Sequence, residues 1–434
     1  MYCMMRNIKT IFAAFAALCI STQLFAQLYF VGNSDKNPLA YKCGEEMVFN
    51  ISLFDGDKIK TGQKLIWHIN GDDGQAPQSG TAISGEKPLA LTAKCNKPGF
   101  VRVRVFAVDD NGKKINSQVI KQWGNTTTVD FQGGAGAEIE KIKNSGKAPE
   151  DFDAFWQRQL AAQAKIEPKH TITNLPEFSK GNFETYLLSI DCLGKPAKAF
   201  ITIPKNAKQK SLPLIAQFYG YGVSRINPEF NENAITLAVL RHSYDALKDA
   251  AYYKAKANGE LKGFGLSASE NKNPENCYFK FMVMRDLRVL EYAKKNIAEW
   301  NGKDLTVKGG SMGGFQALFV AALDKDVSLC CADIPWMTDL WASDCDSARQ
   351  PCEFKPQWTP QIRYFDATIA AQRIKCPVQI RAWLGDYTCP PAGVMVLYNN
   401  ISSATSIDFG QNGTHSGTRT KPEKSRHFSL KKNF

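Results

Sequence analysis

The sequence predicts an α/β fold, a mostly parallel sheet covered by helices, preceded by a small all-β region. Three observations carry this. Residues 28 to about 122 hold short runs of alternating apolar and polar residues, separated by turn residues and without helical period. From residue 147 the pattern changes to apolar runs alternating with stretches of helical period, as in strand–helix–strand units. The chain of 434 residues, 44% hydrophobic and 22% charged, has ordinary globular composition and the length for two or three cores.

Residues 1–26 read as an export signal rather than as part of either region. Arg6 and Lys9 give a positive start, residues 11–20 (IFAAFAALCI) a short apolar stretch, and Ala26 a small residue ahead of Gln27. Leu18 before Cys19 is too bulky for a lipoprotein signal. The expectation is a bacterial protein cleaved near Ala26 and exported to the periplasm or beyond. No later stretch approaches the roughly 20 apolar residues of a membrane span, so no transmembrane span is expected. Losing residues 1–26 removes two basic and no acidic side chains, taking the net charge from +12 to +10. Six basic residues and one acidic residue between Arg419 and Lys432 supply +5 of that. Charge gathered at one end reads as a solvated tail, and no nucleic-acid partner is expected.

In the first region, residues 46–53 (EMVFNISL), 64–69 (KLIWHI) and 100–108 (FVRVRVFAV) alternate, giving strands with one buried and one wet face. Asn70-Gly71-Asp72-Asp73-Gly74 and Asp109-Asp110-Asn111-Gly112 are turns. Strands at this spacing predict an immunoglobulin-like sandwich over residues 27–130, with Cys43, Trp67 and Cys95 in a Cys…Trp…Cys order. In an oxidising compartment Cys43/Cys95 and Cys345/Cys352 are candidate disulfides; buried free thiols are the alternative. No Cys-x-x-Cys pair is present, so spacing gives no zinc site. Gly133-Gly134-Ala135-Gly136 opens a linker assigned to residues 131–146.

The second domain is assigned to residues 147–434. Phe152, Phe155, Trp156 and Leu160 share one helix face. Extended runs at 185–190 and 198–203 precede the apolar run 214–218, which ends at Tyr219-Gly220-Tyr221-Gly222. A long helix is expected over 281–300, then a short strand at 305–307, a helix after Gly313, and strands at 328–334, 378–384 and 406–409.

Gly309-Gly310-Ser311-Met312-Gly313-Gly314 falls where a strand ends and a helix begins, the context that a Gly-x-Ser-x-Gly elbow requires. The sharp turn exposes the serine hydroxyl above the sheet, and the helix N-terminus faces developing negative charge. A serine needs a base to take its proton. Of His68, His170, His242, His415 and His427, only His415 follows the last strand on a loop able to reach the sheet top. His68 lies in the sandwich, His170 and His242 precede the serine, and His427 sits in the charged tail. The chain order serine, acid, histidine then selects Asp386, at the end of strand 378–384, over Asp366 and Asp408. The oxyanion donors expected are the backbone N–H groups of Met312 and Tyr221. Tyr219 and Trp336 are candidate substrate contacts, with packing as the alternative for both, as for Tyr221.

These residues resemble the acetyl xylan esterase / cephalosporin C deacetylase family, carbohydrate esterase family seven, over about 147–417. The similarity runs through Lys147-Ala148-Pro149-Glu150-Asp151-Phe152 with Phe155-Trp156, through Tyr278-Phe279, Arg285 and Tyr292, and through the elbow. It continues in Ala332-Asp333-Ile334-Pro335-Trp336 and Gly385-Asp386 with Pro390-Pro391. The resemblance implies an α/β-hydrolase that removes acetyl groups from acetylated xylo-oligosaccharides or other acetylated glycans. Ser311 would be the nucleophile, His415 the general base and acid, Asp386 its orienter, with no cofactor and no metal. The chain departs from the family at Tyr219, where a histidine is usual, and at Met312, where a glutamine is usual. Its sandwich and signal are also foreign to the typical cytoplasmic members. Those members often form hexamers, which makes a homo-oligomer one expectation. The competing readings are a prolyl-oligopeptidase-like serine peptidase, for which some 95 residues of sandwich cannot supply the usual propeller, and an inactive glycan-binding protein.

Overall fold

The computed structural model describes residues 27–122, 125–344 and 348–433; the expected export signal and Cys345 lie outside them. The first part contains β1 (Leu28–Ser34), β2 (Glu46–Asp55), β3 (Lys58–Ile59), β4 (Lys64–Gly71), β5 (Gln78–Ile83), β6 (Leu89–Lys94), β7 (Gly99–Ala107), β8 (Asn116–Gln122), β9 (Asn125–Thr128) and β10 (Asp130–Ala137). β1, β2, β3 and β6 form one antiparallel sheet, and β10-β7-β4-β5 the other. Their alternating apolar residues, among them Phe30, Phe49, Leu65, Val103 and Phe131, meet in one core.

Cys43 and Cys95 do not bond to each other. The Cys43 thiol donates to Glu138 Oε2 at 3.4 Å and that of Cys95 to the Lys97 carbonyl at 3.2 Å. Burial pushes the Cys95 thiol up to about 12, leaving little reactive thiolate. The melting temperature is therefore expected to be the same with and without dithiothreitol; a drop on reduction would show a disulfide that holds the fold.

The glycine-rich stretch assigned to a linker is largely something else. Residues 130–137 are β10, fully buried and paired along its length with β7. A Cβ on Gly133 would overlap the side chain of Gln411 in the second domain. The glycines thus permit close approach rather than flexibility. Beyond β10, Ile139 and Ile142 are buried in the second core.

That core surrounds β11 (His170–Asn174), β12 (Phe183–Ile190), β13 (Ala197–Pro204), β14 (Leu212–Phe218), β15 (Ile235–Val239), β16 (Trp300–Gly310), β17 (Leu329–Asp333), β18 (Val378–Trp383) and β19 (Thr405–Gly410). A hairpin of β20 (Gly413–Thr414) and β21 (Gly417–Thr418) follows, then β22 (His427–Lys432). The sheet order is β11-β12-β13-β15-β14-β16-β17-β18-β19-β22, parallel from β15 through β19 and antiparallel at both ends. The basic C-terminal segment, expected as a solvated tail, ends in β22, because Phe428 and Leu430 alternate with exposed polar residues against β19.

The helices are α1 (Phe152–Ala164), α2 (Ala250–Asn258), α3 (Ala268–Asn271), α4 (Tyr278–Asn296), α5 (Met312–Leu323), α6 (Ala367–Ala370) and α7 (Pro391–Asn400). No described helix is long and apolar enough to cross a membrane. α4, the helix expected over 281–300, stops at Asn296, and β16 begins at Trp300. α5 lies against β14, β16 and β17, and α7 against β18 and β19. On that face Ala216, Val307, Cys330, Ile380 and Ile407 are buried. The opposite face differs: Gln217, Lys308, Cys331 and Asp333 are half-buried, and Gln379 and Arg381 exposed. Parallel sheets are normally covered on both faces, so this open face is a departure from the expected architecture.

Between α4 and α5, the fully buried Asp286 accepts a hydrogen bond from Gln316 Nε2 at 2.8 Å. Burial pushes its carboxyl up to about 8, against the opposing pull of Gln316 and Arg285. Between the ordinary carboxylate range and pH 8 the unfolded chain ionises there while the folded one does not. Stability tied to this group is thus present at low pH and is lost as pH rises toward 8. Asp286→Asn should remove that loss. Its melting temperature relative to the native protein is expected to rise between pH 5 and pH 8, by roughly 3 °C or more; a gap independent of pH would contradict it.

Candidate active site

Ser311 sits at the junction of β16 and α5 with φ 57° and ψ −122°, a strained conformation for a residue with a Cβ. Its neighbours explain how the turn closes. A Cβ on Gly309 would lie 2.5 Å from the Gly313 carbonyl carbon, and one on Gly313 2.6 Å from the Phe218 carbonyl oxygen. Two glycines flanking the serine are what let strand, helix and the adjoining β14 loop pass so closely. The Ser311 N–H donates to the Asp333 carbonyl at 2.9 Å, fixing the elbow to β17.

The structure brings the three expected side chains together. His415, at the tip of the β20–β21 hairpin, places Nε2 2.9 Å from Ser311 Oγ and Nδ1 2.9 Å from Asp386 Oδ2. Asp386 follows β18 and is buried; its Oδ1 accepts the N–H groups of Thr388 and Cys389, both at 2.9 Å. A carboxylate held by two backbone donors keeps one oxygen aimed at the imidazole, and Nδ1–H donates to it.

The sandwich reaches the segment carrying His415. Buried Gln411 donates from Nε2 to the Gly134 carbonyl at 2.9 Å and accepts the Gly134 N–H at 3.0 Å. Buried Asn412 donates to the Phe30 carbonyl at 3.0 Å and accepts the Gln132 N–H at 3.1 Å. Gln122 donates to the carbonyls of Gly417 and Thr418. On the acid loop, the Arg102 guanidinium stacks 4.1 Å from the centre of the Tyr387 ring and pairs with Glu353 at 2.7 Å.

The expected oxyanion donors lie on either side of Ser311. Met312 opens α5, and Tyr221 lines the same cavity as Ser311. The Tyr221 ring stacks on Phe264 at 4.1 Å and its hydroxyl donates to the Phe264 carbonyl, so the side chain is held by packing. The loop is pinned from below. The Arg241 guanidinium bonds to the Gly220 carbonyl and Ser224 Oγ, and His242 Nε2 donates to the Gly222 carbonyl at 2.9 Å. Burial pushes His242 down to about 3, so it stays neutral in this role. His242 precedes the serine in chain order and so was no candidate base, and no motif in the sequence marks Arg241.

The cavity above Ser311 has a volume of about 690 Å³ and is lined by Tyr221, Phe354, Arg381, Trp383, Asp408 and His427, among others. Neither candidate substrate contact lines it. Trp336 is in the core, stacked on Phe354 and donating to the Phe354 carbonyl, and the Tyr219 hydroxyl donates to Glu229. Trp336 stands directly behind the cavity wall, where an apolar ring is better placed as filling. His427, expected as a solvated residue, lies 2.6 Å from Asp408 Oδ2 on the cavity edge. Asp386, Cys389 and His415 bring metal-ligand atoms within 4.8 Å of one another. Two of them, Asp386 and His415, are already bonded to each other.

A sheet of this strand order, with serine, histidine and acid relayed at its strand-to-helix elbow, defines the α/β-hydrolase class of serine hydrolases. The comparisons narrow this. The family model described as acetyl xylan esterase (AXE1) matches residues 136–432. The chain is 27% identical over 395 residues to the acetyl esterase Axe7A of Xylanibacter ruminicola, covering 84% of this chain and 81% of that protein. The acetyl xylan esterase of Paenibacillus sp. R4 superposes with a TM-score of 0.54 at 22% identity, covering 64% of this chain and 94% of that one. Acetyl xylan esterase 1 of Thermoanaerobacterium sp. JW/SL YS485 gives 0.53 at 22%, covering 65% and 93%. The chain belongs to the acetyl xylan esterase family, and is a carbohydrate esterase, hence a carboxylic ester hydrolase. Nearly all of the sandwich, up to residue 135, lies outside the family match.

Proposed function

We propose that the protein is an exported serine esterase that removes acetyl groups from acetylated xylo-oligosaccharides and related acetylated glycans through an acetyl-enzyme. The observation that carries this is His415, which bridges Ser311 and Asp386 at 2.9 Å on each side beneath an open cavity. His415 Nε2 takes the Ser311 proton as Oγ attacks the acetyl carbonyl carbon. The carbonyl oxygen gathers negative charge between the N–H groups of Tyr221 and Met312, a donor of this kind contributing roughly 3–4 kcal/mol. The bond from the acetyl carbon to the sugar oxygen then breaks, and that oxygen takes the proton from His415. Water attacks the acetyl-Ser311, giving one proton to His415, and that proton returns to Ser311 Oγ as acetic acid leaves and ionises to acetate in solvent. Asp386 holds the imidazole tautomer throughout.

Acetate release from acetylated xylo-oligosaccharides and from p-nitrophenyl acetate, beside a proline-containing peptide ester, tests this reading. Release from the sugars supports it. Cleavage of the peptide ester alone would point to a peptidase, and inactivity on all three to a binding protein. N-terminal sequencing of secreted material tests cleavage near Ala26, and sedimentation tests for a homo-oligomer.

A further inference from the structure

We propose that the open face of the large sheet is a glycan-binding floor. The neutral main chain of an acetylated polysaccharide lies across it while its acetylated sugar occupies the Ser311 cavity. This rests on the esterase reading and extends it from short oligosaccharides to polymer.

The floor is built by strand register. Gln217 on β14 pairs with Lys308 on β16, Lys308 with Cys331 on β17, and Cys331 with Gln379 on β18. One step nearer the catalytic end, Asp333 pairs with Arg381 and Arg381 with Asp408 on β19. The next residue on this face of β18 is Trp383, its ring seated over Gly410 and Gly413. Residues two apart on a strand share a face, so these rows form one surface, about 19 Å across five strands.

Two hollows on this surface join at the nucleophile. The Ser311 cavity and a second hollow of about 450 Å³, lined by Gln217, Lys308, Cys331 and Gln379, share Gly310, Asp333 and Arg381. A ligand leaving the site past the Asp333–Arg381 pair therefore reaches the second hollow, whose lining these residues share. The chemistry of the floor selects its occupant. Arg381 Nε donates to Asp333 Oδ1 at 2.7 Å, while Asp408 accepts from Ser429 at 2.8 Å. Lys308 and Arg381 balance Asp333 and Asp408, so the rows carry no net charge and do not select a polyanion. Amides and paired charges offer donors and acceptors to sugar hydroxyls, and Trp383 offers one ring face at the catalytic end. These rows lack the apolar stripe that a covering helix or a second subunit would bury.

The test uses the full chain. Calorimetry with unacetylated xylo-oligosaccharides of two to six units, on the Ser311→Ala protein, should show affinity rising with length. Adding Lys308→Ala and Gln379→Ala should abolish that rise. In the active protein the same pair should lower kcat/KM on acetylated xylan about tenfold relative to that on p-nitrophenyl acetate, through KM. Gln379 is exposed and Lys308 half-buried, and the small-ester rate reports whether the variant is folded. Binding independent of length, or equal losses on polymer and small ester, would overturn the proposal. So would a dimer in sedimentation that Gln379→Trp dissolves, since the face would then be a subunit interface. Failure of the esterase reading shows separately, as no acetate from any sugar ester while the length-dependent binding persists.

Discussion

Ser311→Ala is expected to lower kcat for acetate release by roughly 10⁵- to 10⁶-fold, with KM and melting temperature nearly unchanged. The size follows from what the hydroxyl does. Without Oγ no acetyl-enzyme forms, and His415 loses the proton it is positioned to take at 2.9 Å. What persists is the field of the oxyanion donors and the orientation of the bound ester, which acts on water alone. The fold should survive because alanine keeps the Cβ that the φ 57° backbone already tolerates, and the side-chain bond lost is the one to His415. Initial rates with p-nitrophenyl acetate and an acetylated xylo-oligosaccharide check it. A loss below a hundredfold on both would mean that another group attacks, and the elbow would be a structural turn.

The elbow was legible because its requirement is local. A strained residue flanked by glycines that nearly touch leaves a signature within six positions, and the close contact of Gly309 with Gly313 is the reason that signature exists. Asp386 and His415 were legible by chain order, since a parallel sheet delivers its loops to one end in sequence. Other features had a signal with two meanings. Gly133-Gly134-Ala135-Gly136 fits a flexible join as well as a strand pressed against a neighbour, and its pairing with β7 and the bonds from Gln411 across the gap distinguish them. Phe428 and Leu430 alternate as a strand should, yet the surrounding lysines and arginines favoured a tail. Gln379 and Arg381 sit in a run that alternates visibly, but a parallel strand is expected to be covered on both faces, so their polarity carried no position. Trp336 and Trp383 are the same residue type; Trp383 reaches the cavity from the end of β18, while Trp336, on the loop after β17, turns into the core.

The sandwich holds the segment that leads into His415 through the buried side chains of Gln411 and Asn412. Gln411→Ala with Asn412→Ala in the full chain is expected to lower kcat on p-nitrophenyl acetate about a hundredfold with a much smaller change in KM. The two side chains make four hydrogen bonds to Phe30, Gln132 and Gly134, all in buried surroundings. Removing them leaves backbone groups of β1 and β10 unpaired, at about 1–3 kcal/mol each. Asn412 is also the residue that turns the chain, at φ 55°, into the hairpin that carries His415. Gln122 at the Gly417 and Thr418 carbonyls and Arg419 beside Asp130 still hold the outgoing strand of the hairpin, so the loosening falls on the strand that leads into His415. A displacement of the imbedded imidazole by about 1 Å suffices for a loss of this order, because proton transfer depends on reach and alignment. A small ester has no glycan to bind elsewhere, so the assay separates positioning from substrate capture. Activity within threefold of native would mean that the sandwich is merely attached. A hundredfold loss in kcat would mean that Phe30, Gln132 and Gly134, all outside the family match, hold the general base in place, and that the sandwich cannot be exchanged for a binding module without rebuilding the active site.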